Sequence, residues 1–147
     1  MSVPKSKRSN NPNKSLKFLQ NLEDLNVILI KAIAEGPKRY LNTYGAMMIQ
    51  ICGNALCCAG RANSIVPEKS SVKDLFMRRD WLVEARAECE AISLQMNVME
   101  KLYAWDTTNK KQHLVDLIDA EMALLDGAIL YVDRVINDRQ KSLPRNN

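Results

Sequence analysis

The sequence predicts an all-α protein: an antiparallel up-down-up-down four-helix bundle preceded by a disordered basic N-terminal arm. Glycine and proline are scarce, with five of each in 147 residues, whereas Leu, Ala, Met, Glu and Lys are abundant, and this composition favours helix over sheet. Apolar residues recur at three- and four-residue steps in four segments joined by short links, which is typical of helices packed around one core. We expect the arm to cover residues 1–13, the bundle residues 14–140 and a polar tail residues 141–147.

The arm and the first helix differ sharply in composition. Residues 1–13 are polar and basic and include Pro4 and Pro12, which favours an extended or disordered segment. The first helix is expected from about Ser15 to Glu35, and Gly36–Pro37 ends it because proline disfavours the helical conformation at the residue before it. Its apolar face consists of Phe18, Leu22, Leu25, Leu29 and Ala32.

The second helix is expected from Pro37 to about Asn63, since proline is favoured in the first turn of a helix. Small residues repeat along it every seven residues, at Ala46, Gly53 and Gly60. Small side chains allow another helix to approach closely. This face therefore packs tightly inside one subunit or forms an interface with a second subunit or a partner, and the sequence leaves both open.

The third helix is expected to begin after a cap at Ser70 or Ser71 and to end near Trp105. Asp74 lies three residues after Ser71, where it can complete a capping box. The helix carries a heptad seam interrupted only at Arg78. The seam consists of Leu75, Leu82, Ala85, Cys89, Ile92, Met96, Met99 and Tyr103.

The fourth helix is expected from about Asn109 to Gln140, after a cap at Thr107 or Thr108. Its apolar residues recur at helical spacing along the whole segment. They are Leu114, Leu117, Ile118, Met122, Leu125, Ala128, Ile129, Val132, Val135 and Ile136.

Residue patterns that support catalysis or metal binding are scarce. His113 is the only histidine, and it follows the polar run Lys110–Gln112. The sequence has no Gly-rich phosphate loop and no Glu-x-x-His pair of the kind that binds iron in bundles. The four cysteines lack the spacing of a zinc site, and Cys57 and Cys58 are adjacent, so we expect reduced and mostly buried thiols. We therefore expect no enzymatic activity, no cofactor and no metal.

Membrane and export signals are also missing from the sequence. No apolar run reaches the roughly 18 residues that a membrane helix needs. The charged start is not followed by the apolar segment of a signal peptide. We expect a soluble cytoplasmic protein.

The positive charge of the chain is concentrated near its start. Residues 1–17 contain five basic side chains and no acid, although the whole chain has a net charge of only +4. The segment 36–63 contains three more basic residues and again no acid, whereas residues 64–147 contain twelve basic and fourteen acidic residues. A charge distribution of this kind favours binding of a polyanion. The alternative is that the arm only increases solubility.

Several basic residues and one tyrosine are therefore candidates for nucleic-acid binding. They would contact phosphate and not base sequence, so specificity would have to come from a partner. The tyrosine could stack on a base, as could Tyr44, although a core role for one of the two is equally compatible with the pattern. The candidates are Lys5, Lys7, Arg8, Lys14, Lys17, Lys38, Arg39, Tyr40, Arg61, Arg78 and Arg79.

The order of these landmarks resembles a known family. Five landmarks follow one another over residues 4–138. They are a basic opening at Pro4–Arg8, the Pro37–Tyr40 start of helix 2, its Arg61–Asn63 end, the arginine pair of helix 3, and Trp105 before helix 4. This order is similar to that of the accessory variability determinant proteins of diversity-generating retroelements. It is more distantly similar to the bundle proteins encoded in intervening sequences of bacterial 23S ribosomal RNA genes.

The resemblance implies a barrel-shaped homopentamer that binds nucleic acid, either template RNA or cDNA, through basic surfaces. It also implies an association with the retroelement's reverse transcriptase, which copies template RNA into mutated cDNA, and no catalytic activity of the bundle itself.

Two features depart from the family pattern. Gly36 stands where the family usually has an aromatic residue, and the apolar stretch Gly45–Met48 stands where the family often has further basic residues.

A second interpretation assigns the chain to a different class, a protein-interaction scaffold that binds no nucleic acid. In that case the small-residue face of helix 2 and the seam of helix 3 would recruit a protein partner. Removal of residues 1–13 together with mutation of Lys38 and Arg39 distinguishes the two, because only the first interpretation needs these residues.

Overall fold

A computed structural model describes residues 14–36, 38, 44–102 and 108–143, with side chains described at 17–36, 38, 44–101 and 111–143. Four α-helices make up nearly all of this part of the chain, and it contains no strand. The predicted arm, the expected first turn of the second helix except Lys38, and the end of the tail lie outside the described residues. The helices are α1 (Lys14–Ala34), α2 (Ala46–Ser64), α3 (Val72–Leu102) and α4 (Thr108–Ser142). Among these helices, none is both long and apolar enough to cross a membrane.

Buried side chains from all four helices form a single hydrophobic core. The predicted faces of α1 and α3 are confirmed: Phe18, Leu22 and Leu29 of α1 are fully buried, and every seam residue of α3 with a described side chain is buried. Burial of a large apolar side chain stabilises a fold by about 1.5–3 kcal/mol, so these faces supply most of the driving force. In α4 the buried apolar positions are Leu114, Ile118, Leu125, Val132 and Ile136, and the other predicted positions are half-buried.

The main contacts between helices join α1 to α2 and α4, and α3 to α2 and α4. Ion pairs cross from α3 to α4 in a regular order. Arg79 pairs with Asp133 at 2.7 Å and Arg86 with Asp126 at 2.5 Å. Arg86 lies seven residues after Arg79 in α3, whereas Asp126 lies seven residues before Asp133 in α4. This opposite order is compatible with an antiparallel pair of helices.

The link between α2 and α3 is held by hydrogen bonds from both sides. The predicted cap at Ser71 is confirmed, because the Asp74 N–H donates to Ser71 Oγ at 3.2 Å. From α4, Arg139 donates to the carbonyl oxygens of Ser70, Pro67 (2.9 Å) and Glu68 (3.1 Å). The start of α3 and the end of α4 are thereby fixed to one another through this link.

Arg78 fills the gap in the heptad seam, and its side chain is only 2% exposed. Its Nη1 donates to the carbonyl oxygens of Ala62 at 2.5 Å and Ile65 at 2.9 Å, at the end of α2. The last carbonyls of a helix lack intrahelical partners and carry partial negative charge, so a guanidinium is well suited to cap them. Burial lowers the pKa of Arg78, but an arginine side chain stays charged in a protein.

Replacement of Arg78 by alanine is expected to lower the free energy of unfolding by about 2–4 kcal/mol, because it leaves a cavity and removes the cap of α2. The matched control is Arg79→Ala, which removes a half-exposed ion pair and should cost less than about 1 kcal/mol. Urea unfolding of both variants measures the difference. Equal losses at the two positions would contradict the capping role of Arg78.

Candidate nucleic-acid interface

The structure describes the side chains of five residues proposed from the sequence to bind nucleic acid: Lys17, Lys38, Arg61, Arg78 and Arg79. The other candidates lie outside the described residues or have no described side chain. These are Lys5, Lys7, Arg8, Lys14, Arg39 and Tyr40.

Lys17 and Lys38 are exposed to solvent, as a phosphate-binding residue must be. They are not brought together. Lys17 lies in the first turn of α1, and Lys38 follows the end of that helix. At 1.5 Å per residue, roughly 25 Å of helix separates Lys17 from the end of α1. The structure therefore offers separate basic positions rather than one compact patch.

Arg61 is exposed near the end of α2, and its guanidinium lies over the Trp81 ring, 4.6 Å from the ring centre. A cation–π contact of this kind holds a guanidinium close to the face of an indole ring. Acidic residues lie in the same region, since Glu84, Glu88 and Arg61 all influence the pKa of the Cys58 thiol. The positive potential of Arg61 is consequently reduced by its surroundings.

The arginine pair of α3 is engaged within the protein. Arg78 is buried and donates to two carbonyls of the α2 end, so we correct the expectation that it contacts a polyanion. Arg79 Nε pairs with Asp133 at 2.7 Å, and the two side chains are 39% and 37% exposed. The sequence contained the relevant signal, because position 78 fits the heptad seam between Leu75 and Leu82.

Tyr44, the second candidate for base stacking, is half-buried and packs against the hydrophobic core. Of the two roles that the sequence left open for it, this contact favours the core role.

The small-residue face of α2 points away from the core of its own chain. Ala46 is exposed, and Gly53 and Gly60 are half-exposed. Among the described residues, a Cβ atom at Gly53 or Gly60 would meet no atom of another helix within 4 Å. Close packing inside one chain therefore does not explain these glycines, although each glycine in a helix costs about 0.5–1 kcal/mol relative to alanine. The exposed thiol of Cys57 lies between them.

A buried carboxylic acid, Glu121, lies in the core of the protein and was not predicted from the sequence. Its Oε2 accepts a hydrogen bond from Asn21 Nδ2 at 2.9 Å, whereas Oε1 is buried and has no hydrogen-bond partner among the described residues. The same Asn21 amide donates to the Leu117 carbonyl oxygen at 3.2 Å. Position 121 lies between Ile118 and Leu125 on the apolar stripe of α4, and an acid at such a position is the signal that could have identified it.

Burial shifts the pKa values of this region strongly. Removal from water disfavours the charged carboxylate and raises the pKa of Glu121 to about 7, although the Asn21 hydrogen bond acts in the opposite direction. Burial also raises the pKa values of the Cys52 and Cys89 thiols to about 12. These thiols stay protonated at neutral pH, and buried thiols of this kind are unreactive.

Groups of three or more His, Cys, Asp or Glu side chains that could hold a metal ion do not occur in the described part of the chain. His113 is exposed on α4. Comparison with protein-family models, curated proteins and solved structures finds no match for this chain.

Glu121 is expected to make stability depend on pH. Its pKa is about 7 in the folded protein and near 4.5 when unfolded, so its protonation stabilises the fold fully below pH 4.5 and this stabilisation is lost as the pH rises towards 7. The change is on the order of 3 kcal/mol. Because other acids also titrate, the measured quantity is the difference in unfolding free energy between the protein and its Glu121→Gln variant, from pH 5 to pH 8.

The Glu121→Gln variant should gain stability relative to the unmodified protein as the pH rises. The control Glu84→Gln changes an exposed carboxylate of α3 and leaves the core unchanged. A difference for Glu121→Gln that stays constant over this pH range would contradict a buried protonated acid.

Proposed function

We propose that this chain is a non-catalytic, nucleic-acid-binding accessory protein that assists a reverse transcriptase in copying template RNA, as in a diversity-generating retroelement. The observation that carries the proposal is the concentration of five basic residues and no acid in residues 1–17, of which Lys17 is exposed at the start of α1. Charge placed in this way attracts phosphate without any catalytic group.

The proposed architecture is an antiparallel up-down-up-down four-helix bundle. The single core shared by four helices, the contacts of each helix with two others and the order of the α3–α4 ion pairs support it. In this arrangement α1 and α3 start at one end and α2 starts at the other, so the arm and Lys38 would lie at opposite ends of one subunit.

The nucleic-acid interface is proposed to consist of the arm, Lys14 and Lys17 in the first turn of α1, residues 38–40 and Arg61. The arm contributes phosphate contacts that are independent of sequence, and Arg61 contributes a guanidinium held over the Trp81 ring. Arg78 is left out, and Arg79 takes part only if its pair with Asp133 opens. The interface residues are Lys5, Lys7, Arg8, Lys14, Lys17, Lys38, Arg39, Tyr40 and Arg61.

Oligomerisation is proposed to occur through the outer face of α2. The open space beyond Gly53 and Gly60, together with the cost of glycine in a helix, supports close approach of a second helix from outside the chain. A ring of subunits, a pentamer by the resemblance, would repeat each weak phosphate site and raise avidity without new contacts. The assembly is proposed to act in the cytoplasm without cofactor or metal.

The salt dependence of binding tests this proposal. For a fluorescent single-stranded RNA, log K should fall with log salt at a slope of about −0.7 for each neutralised phosphate. Deletion of residues 1–13 removes Lys5, Lys7 and Arg8, so it should make the slope less steep by about 2 per subunit engaged. The measurement is fluorescence anisotropy at several salt concentrations.

The matched control for this deletion removes three exposed lysines outside the proposed interface, in the triple variant Lys69→Gln, Lys73→Gln and Lys101→Gln. Its slope should equal that of the unmodified protein. A slope near zero for the unmodified protein, or the same reduction in the control and the deletion, would exclude the proposed interface.

The open face of α2 also favours the second candidate function, a scaffold that binds only protein. In that case partner binding would survive the loss of residues 1–13 and mutation of Lys38 and Arg39, and RNA would not bind at any salt concentration.

A further inference from the structure

The buried carboxyl group of Glu121 lies where α4 meets α1. Asn21 of α1 donates to Glu121 Oε2 at 2.9 Å and to the Leu117 carbonyl oxygen at 3.2 Å, so one amide group joins the two helices. The other carboxyl oxygen, Oε1, is buried and has no hydrogen-bond partner among the described residues. A carboxyl group in such a place costs far less free energy when it is protonated than when it is charged.

Three helices face Glu121 across the core, and they present neutral groups. From α1 the neighbour is the Asn21 amide. From α3 the Cys89 thiol is close enough for Glu121 to influence its pKa, and Cys52 of α2 influences the same thiol. Burial keeps both thiols protonated at neutral pH. These neighbours therefore supply no positive charge that could compensate an ionised Glu121.

Charged side chains do not compensate Glu121 either. Arg86 and Glu88 of α3 influence the pKa of Cys89. In the described part of the chain, however, the pKa of Glu121 is set by burial and by the opposing hydrogen bond from Asn21. Loss of the proton therefore leaves a buried carboxylate with one unsatisfied oxygen. Water is the remaining donor, and it reaches that oxygen when a helix moves aside.

Polar contacts hold α1 to the other helices less firmly than they hold α3. The buried Arg78 fixes α3 to the end of α2, and two ion pairs at 2.5 and 2.7 Å join α3 to α4. The described side chains of α1, at residues 17–34, form no ion pair with another helix. Besides Asn21, Asn26 donates to the Cys52 carbonyl oxygen of α2 at 3.2 Å. Since α1 also has 21 residues against 31 in α3, we expect α1 to separate first.

We infer that the proton on Glu121 controls the docking of α1 on α4. The protonated acid keeps α1 docked, and loss of the proton favours an open conformation in which α1 has moved off α4 and water reaches the carboxylate. Four large side chains of α1 are fully buried in the docked conformation, Phe18, Leu22, Leu25 and Leu29. The open conformation is therefore the minor one at every pH, and the proton changes its population. The inference rests on the fold and not on the proposed function.

The pH range of this control follows from the two pKa values of Glu121. The pKa is about 7 with α1 docked and near 4.5 once water reaches the group. The open population therefore grows as the pH rises from about 4.5 to 7. It levels off above pH 7, where the acid has lost its proton in both conformations. Between pH 5 and pH 8 the increase is expected to be at least about tenfold.

Native-state hydrogen exchange, followed by mass spectrometry, tests the inference because it resolves peptides of α1 from peptides of α3. The intrinsic exchange rate also depends on pH. The measured quantity is therefore the exchange rate of the protein divided by that of its Glu121→Gln variant at the same pH. Glutamine can still accept the Asn21 hydrogen bond, but it does not titrate. For α1 peptides this ratio should be at least about tenfold larger at pH 8 than at pH 5.

The matched control is Asn26→Ala, which removes the hydrogen bond from α1 to α2 and no titratable group. It should speed the exchange of α1 by the same factor at pH 5 and at pH 8. Low concentrations of urea separate local from global opening, because a local opening exposes less surface. Exchange of α1 should be faster than that of α3 and should respond less to urea.

Two results would overturn the inference. One is a rate ratio for α1 that is the same at pH 5 and at pH 8. The other is equal protection and an equal response to urea in α1 and α3, because α1 would then leave only when the whole protein unfolds. Circular dichroism confirms that each variant is folded before its exchange is measured. Since no RNA is present, failure of RNA binding and failure of this inference are distinguishable.

Discussion

The rest of the structure depends on the buried guanidinium of Arg78. It occupies a core position of α3 and satisfies the last carbonyls of α2, and thereby fixes how these two helices meet. Arg139 of α4 holds the same link from the other side. With the link fixed on both sides, the apolar faces of α2, α3 and α4 can pack in one register.

Charge is distributed unevenly along the chain. Within the helices, cations and anions balance one another, as in the pairs from Arg79 and Arg86 to aspartates of α4. These exposed pairs contribute little to stability, but they remove both arginines from the surface that is open to phosphate. The unbalanced positive charge lies in residues 1–17 and 36–63, which contain no acid.

The helical periodicity was sufficient to predict the four helices and the buried faces of α1, α3 and much of α4, because apolar spacing reports directly which side of a helix leaves water. It did not identify the buried face of α2. The roles of individual polar residues were not predictable in the same way. Arg78 was assigned to the surface by its charge, although its heptad position placed it inside, and Glu121 was overlooked for the same reason. Whether a charged side chain at a core position finds a partner depends on residues distant in sequence, such as Ala62 and Asn21. The open space beyond Gly53 likewise became visible only in three dimensions.

The most direct test of the account is the mass of the protein in solution, measured by light scattering after size exclusion, with and without a structured RNA at low and high salt. The account predicts a stable oligomer, with a mass of about five times 16.7 kDa if the ring is a pentamer, whose mass increases with RNA at low salt and not at high salt. A monomer whose mass is unchanged by RNA at both salt concentrations would contradict it.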